Sequence, residues 1–165
     1  MKTDEMRHEL VHLGGGAHAL AIQILGNADD AADAVHDSLE KALGKPEAYK
    51  ADKGPLKPWF LRLVRNRCID LLRKRRPGDN RIDELTDSGI GPERAAEIAD
   101  RDRVLKLALA SLESDQRQII VLRDYMDLPY AQIAAVLDIA PGTVMSRLHR
   151  ARIALGRAYR DHDDD

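Results

Sequence analysis

"LPYAQIAAVLDIAPGTVMSRLHRARIAL", Leu128 to Leu155, is the stretch whose reading decides the fold. A short helix, "YAQIAAVL", follows Leu128-Pro129; "DIAP" makes a turn, and a longer helix comes after it. These are the proportions of a helix-turn-helix. Ile133, Ala134 and Leu137 pack the first helix inward, and a side chain larger than Ala134 would push the two helices apart where they cross. Ile139 plugs the core from the turn. Val144, Leu148 and Ala151 fall at i, i+4 and i+7 and bury one face of the second helix. The opposite face presents Thr143, Ser146, Arg147, His149 and Arg150. Short polar and arginine side chains at an exposed helix N-terminus are what reading the DNA major groove requires. The bland alternative is a helical hairpin with a basic surface.

Moving outward, charge sorts itself by segment although the whole chain carries a formal net charge of only −2. From Pro141 to Arg160 there are five arginines (Arg147, Arg150, Arg152, Arg157, Arg160) and no acid. Gly54 to Arg76 holds eight basic residues against the single acid Asp70. Asn27 to Glu40 reverses the sign, with five acids and no lysine or arginine. One charged run alone reads as a solvated face. Two basic helical blocks far apart in the chain instead suit neutralisation of nucleic-acid phosphates, and the acidic helix suits a basic protein surface.

The remaining pattern is helical throughout, and no strand periodicity is present, so the chain reads as all-α. Residues 17–43 place Leu20, Ile24, Ala31, Val35, Leu39 and Leu43 at helical intervals, with Gly26-Asn27 as a stop and restart. The glycine triplet 14–16 is expected to fray or break any helix begun at Asp4, and it lacks the context of a phosphate-binding loop. In "KPWFLRLVRNRCIDLLRKRR", Pro58 suits a first turn; Trp59, Leu63, Val64, Ile69 and Leu71/Leu72 form the expected buried stripe, with Arg62, Arg65, Arg67 and Arg73–Arg76 outward. Residues 77–92, "PGDNRIDELTDSGIGP", read as a flexible linker. This gives two small helical domains, 1–76 and 93–165. In the second, Val104, Leu105, Ala108, Leu109 and Leu112 share one side of a helix, Ser114 or Asp115 caps the next, and the final "DHDDD" is expected to be disordered.

Several function classes fall away. At 165 residues the chain suits one medium or two small domains, and 4% aromatic content implies aliphatic cores. No apolar run approaches the ~20 residues of a membrane span, and a lone cysteine, Cys68, fits a reducing cytoplasm and core packing. His8 and His12 are spaced i, i+4 but lack a third ligand, and Asp29, Asp30 and Asp33 lack the glycine and glutamate of a calcium loop. No nucleophile–base–acid set is found, so no enzyme, metal or cofactor is expected.

With these residues in view, the chain resembles the extracytoplasmic-function (ECF) sigma factors of the sigma-70 family, over nearly its whole length. "LESDQRQIIVLRDYMDLPYAQIAAVLDIAPGTVMSRLHRAR" is similar to the family's region 4, "ADDAADAVHDSLEKAL" to region 2.2, and "WFLRLVRNRCIDLLRKRR" to regions 2.3 and 2.4. The resemblance implies a cytoplasmic promoter-specificity subunit. Region 2.2 would bind the β′ clamp helices of core RNA polymerase through Asp33, His36, Asp37 and Glu40. Trp59, Arg62, Arg65, Asn66, Arg67, Arg73 and Arg75 would open and hold the −10 element. Thr143, Met145, Ser146, Arg147, His149 and Arg150 would face the −35 major groove, while the rest of region 4 meets the β flap. An anti-sigma factor is an implied partner. The linker would thread toward the RNA exit path, its acidity mimicking nucleic acid. Ala32, His36, Leu39 and Met145 depart from the family's usual residues, and Met145 replaces a common lysine or arginine. Two other functions fit the same fold: a sigma mimic that sequesters an anti-sigma factor, and a free-standing helix-turn-helix regulator.

Overall fold

A computed structural model describes residues 2–75 and 92–164. Helices α1 (Thr3–Leu25), α2 (Ala28–Gly44) and α3 (Leu56–Lys74) form the first unit, with two single 3-10 turns, Pro46–Ala48 and Ala51–Lys53, between α2 and α3. Helices α4 (Pro92–Ser111), α5 (Ser114–Ile120), α6 (Tyr130–Leu137) and α7 (Pro141–Asp163) form the second. No strand is present among the described residues. Apart from Pro92, which opens α4, the expected linker 77–92 lies outside the described residues, as does Arg76.

The break between α1 and α2 follows from two adjacent residues. Gly26 adopts φ 74, a left-handed conformation that costs glycine nothing, and its N–H closes on Ile22 O at 2.7 Å. Asn27 then starts α2, its Oδ1 accepting the Asp30 N–H at 2.9 Å. The glycine triplet, by contrast, does not break α1. Met6, Leu10, Ala17 and Leu20 bury one face on both sides of it, and packing outweighs the entropy that glycine loses in a helix.

Within α3 the buried face is turned from the expected stripe: Leu56, Phe60, Leu61, Val64 and Cys68 are buried, while Trp59, Leu63 and Leu71 pack at its margin, Ile69 is half-buried and Leu72 is exposed. In the second unit Val104, Ala108 and Leu112 pack inward, but Leu105 is 40% exposed, one position off the buried line. Neither expected cap of α5 forms. Glu113 is the N-cap without a side-chain bond, and the Ser114 hydroxyl turns toward α1 instead. Beyond α5 the chain widens into a π-helical turn, Val121–Tyr125, closed by Met126 N–H on Val121 O at 3.0 Å. In the "DHDDD" tail, expected to be disordered, Asp161–Asp163 continue α7 and the Asp164 N–H closes on Arg160 O at 3.1 Å, while Asp165 lies outside the described residues.

The two units are packed together. α1 meets α5, and α3 meets α6. One buried apolar cluster runs from Met6 and Leu10 through Phe60 and Val64 to Ile133, Leu148 and Ala151. That closure brings Arg62 and Arg65 of α3 against the second unit.

Candidate nucleic-acid interface

Helix α7 divides cleanly into two faces. Val144, Leu148 and Ala151 are buried against α5 and α6, joined by Ile133, Ala134, Val136 and Leu137. Met145 is 64% exposed, and Ser146, Arg147, His149 and Arg150 are exposed beside it. Thr143 is half-buried, and Ser146 Oγ donates to its carbonyl at 3.0 Å. The turn works because Asp138 takes φ 56, a left-handed conformation that aspartate tolerates, and Ile139 packs into the core after it. Arg152, lower on α7, is not free: its guanidinium pairs with Asp124 of the π turn, which holds its pKa above the usual arginine value.

The arginines of α3 split three ways. Arg67 donates through Nε and Nη2 to Asp37 Oδ2 at 3.1 and 3.0 Å, and Arg75 reaches Asp30 at 3.0 Å. Both were expected outward; both instead bind the acidic helix α2, across a shallow cleft of about 360 Å³ lined also by Leu25, Asp33 and Leu71. Arg62 and Arg65 turn to the second unit. Arg65 Nε donates to Gln118 Oε1 at 2.7 Å, and Arg62 lies 3.6 Å from Asp138. Partial burial lowers the Arg65 pKa, with Asp115 and Asp138 opposing the shift. Arg73 remains exposed, 4.0 Å from Asp70, and Asn66 is exposed. Trp59 is half-buried, tilted against Tyr49 with ring centroids 5.3 Å apart.

On α2 the exposed face carries Asp33, His36 and Glu40, with His36 Nε2 3.0 Å from Glu40. Asp37 is half-buried on its arginine. Cys68 is fully buried, and that burial pushes its thiol up to about 12. His8 and His12 bond to each other, Nε2 to Nε2 at 3.3 Å, and no group of three or more metal-binding side chains occurs among the described residues.

Comparison with known proteins settles the family. The model described as "Sigma-70 region 2" matches residues 11–77, and that described as "Sigma-70, region 4" matches residues 102–155. The chain belongs to the ECF sigma factors of the sigma-70 family. It is 37% identical to the ECF RNA polymerase sigma factor SigL of Mycobacterium tuberculosis over 139 residues, covering 82% of this chain and 77% of the relative. It is 30% identical to the ECF RNA polymerase sigma factor EcfG of Rhodopseudomonas palustris, covering 93% and 84%. Among solved structures, the sigma factor RpoE of Bartonella quintana, crystallised with the anti-sigma factor NepR, superimposes with TM-score 0.73 at 28% identity, over 94% of this chain and 97% of that one.

In this sigma factor the residues read from sequence as −35 contacts share one stretch of α7, all exposed except the half-buried Thr143. Those read as −10 contacts do not stay together. The residues that sequence reasoning missed are Gln118, Arg117 and Gln23, which connect the units: Arg117 donates through Nε and Nη2 to the Gln23 carbonyl at 3.1 and 3.0 Å, and also to Leu112 O. A buried glutamine and a half-buried arginine on a short amphipathic helix carry no signal of partners 53 and 94 positions away.

Proposed function

We infer that this chain is the promoter-specificity subunit of bacterial RNA polymerase, binding the core enzyme and directing it to −35 and −10 elements where DNA melting begins. The observation that carries this reading is the two-faced helix α7, whose buried Val144, Leu148 and Ala151 fix an exposed face of Met145, Ser146, Arg147, His149 and Arg150. Arg147 and Arg150 would neutralise phosphates and position the helix; Thr143, Met145, Ser146 and His149 would meet base edges. On α3, Trp59, Arg62, Arg65, Asn66, Arg67, Arg73 and Arg75 would receive the −10 strand. Asp33, His36, Asp37 and Glu40 on α2 would bind the β′ clamp helices, and the second unit the β flap.

The working division is residues 1–76 for core binding and −10 recognition, 77–92 as linker, and 93–165 for −35 recognition. Among the described residues no helix is long and apolar enough to cross a membrane. We propose action in the cytoplasm, restraint by an anti-sigma factor, and no catalytic role. The test is run-off transcription with purified core polymerase on genomic promoter fragments. Initiation that requires the chain supports the reading. Absence of core-dependent initiation together with tight binding to an anti-sigma protein would convert it to a sequestering mimic.

A further inference from the structure

The arginines of α7 do not stand alike toward DNA. Arg147 and Arg150 are exposed beside Met145 and Ser146. Arg152 follows Met145 by seven positions and His149 by three, the spacing that keeps residues on one helix face. At 1.5 Å of rise per residue its backbone lies about 4.5 Å along the axis from that of His149. Position alone therefore aligns Arg152 with the residues read as base contacts, where a long cationic side chain would meet the flanking phosphates.

The side chain is turned elsewhere. Arg152 Nε donates to Asp124 Oδ2 at 3.1 Å and Nη2 donates to Asp124 Oδ1, so the guanidinium fork takes both carboxylate oxygens. Such a two-point pair holds better than a single surface contact. Its acceptor is also fixed in place. Asp124 lies in the π turn, which is closed by Met126 N–H on Val121 O and Leu128 N–H on Leu122 O, each at 3.0 Å. Val121 and Leu122 are buried beneath the turn. Arg123 points to the start of α6, donating to Leu128 O at 3.0 Å and lying 5.2 Å over the Tyr130 ring. The packing of α7 does not depend on the pair, because Val144, Leu148 and Ala151 already bury its inner face, and both charged side chains are partly exposed.

We propose that Asp124 restrains sequence-independent DNA binding: it takes Arg152 off the phosphate backbone, so that α7 meets a duplex with one phosphate contact fewer than its arginines allow. Phosphate contacts raise affinity for every sequence alike, whereas base edges carry the discrimination. Withholding one leaves a larger share of the binding to Thr143, Met145, Ser146 and His149. This rests on the assignment of α7 to duplex DNA, and it adds a residue outside α7 to those that set its selectivity.

The test titrates a fluorescent duplex of mixed sequence with the full chain, no polymerase present, over a range of salt concentrations. One added phosphate contact steepens the slope of log affinity against log salt by about 0.9, which amounts to about eightfold at 0.1 M salt relative to 1 M. Asp124→Ala should show that slope and that gain. Asp124→Glu, which keeps a carboxylate on the turn, should bind as the wild type does. Arg152→Gln alone should leave the slope unchanged, and combined with Asp124→Ala it should abolish the gain. That coupling is the signature, since a mere change of net charge gives Arg152→Gln the same effect in both backgrounds. An unchanged slope in Asp124→Ala overturns the proposal, and so does an equal effect of Arg152→Gln with and without Asp124. A slope lowered by Arg152→Gln in the otherwise wild-type chain also overturns it, because Arg152 would then already hold a phosphate; this variant decides even where Asp124→Ala does not fold. Misfolding cannot imitate the expected result, because it weakens duplex binding rather than strengthening it. Failure of the α7 assignment appears separately, as wild-type duplex binding that Arg147→Ala and Arg150→Ala leave unaltered.

Discussion

Replacing Met145 with arginine separates what α7 does for stability from what it does for DNA. Met145 is 64% exposed next to Val144, which is fully buried. A change on the exposed side should alter stability by no more than about 0.5 kcal/mol, or about 2 °C in Tm for a chain of this size. The effect on DNA should be far larger. A methionine methyl against a thymine methyl buries little more than one carbon, worth about 0.8 kcal/mol, or roughly fourfold in affinity. An arginine in its place can bond O6 and N7 of guanine together, a discrimination of about 1–3 kcal/mol. Met145→Arg should therefore move duplex preference at one −35 position from thymine toward guanine by roughly fivefold to 150-fold. Selection from a randomised duplex pool, followed by core-dependent run-off on the selected sequences, measures this. Leu148→Ala serves as the opposite control: its side chain is 1% exposed, so truncation should cost about 2–5 kcal/mol whatever the DNA. Unchanged sequence preference in a Met145→Arg chain of intact Tm would show that the side chain does not reach the bases. A loss of Tm like that of Leu148→Ala would refute the facing of α7 itself.

Arg147→Ala and Arg150→Ala, both exposed, should weaken duplex binding across all sequences and each lower the salt slope by about one, read from titrations at several salt concentrations. Asn27→Ala removes the acceptor of the Asp30 N–H and should cost about 1 kcal/mol in urea unfolding, with Asn27→Asp restoring most of it. The buried Cys68 thiol, raised from 9.0 to about 12, stays protonated at neutral pH and should resist alkylation until the chain is unfolded. The folded state therefore holds a proton that the unfolded chain releases above pH 9.0, so Cys68 should contribute full stability below that pH and lose it progressively toward pH 12; Cys68→Ala should flatten that decline in denaturation midpoints.

How much was legible in sequence depended on whether the deciding contacts were local. Ile133, Ala134, Leu137, Val144, Leu148 and Ala151 are buried as their spacing requires, because α6 and α7 pack on each other across a three-residue turn. The Gly26-Asn27 break was equally legible, since both caps act within four residues. The glycine triplet misled because a propensity of about 1 kcal/mol per residue was set against burial that sequence does not display. Leu105 misled because a helical stripe is broader than the face its neighbour covers. The arginines of α3 were read correctly as a basic block but not in their destinations. The partners of Arg67, Arg75, Arg65 and Arg62 lie 30 to 76 positions away in the chain, at Asp37, Asp30, Gln118 and Asp138.

Those destinations revise the simple division in which acidic residues meet protein and basic residues meet DNA. On α2, Asp30 and Asp37 are engaged by α3, which leaves Asp33, His36 and Glu40 as the exposed remainder available to a polymerase surface. Arg67 on α3 and Arg75 just past its end hold α2 in place, while Arg62 and Arg65 face the second unit. A strand of DNA arriving at α3 would therefore replace existing acceptors rather than meet free cations. The replacement is feasible because the Arg62 and Arg67 pairs are partly exposed, and exposed ion pairs of this kind hold by about 1 kcal/mol or less. Arg65, half-buried on a buried amide, is the hardest of the three to release, because a bare Gln118 oxygen would be left without a partner in a site that is 3% exposed.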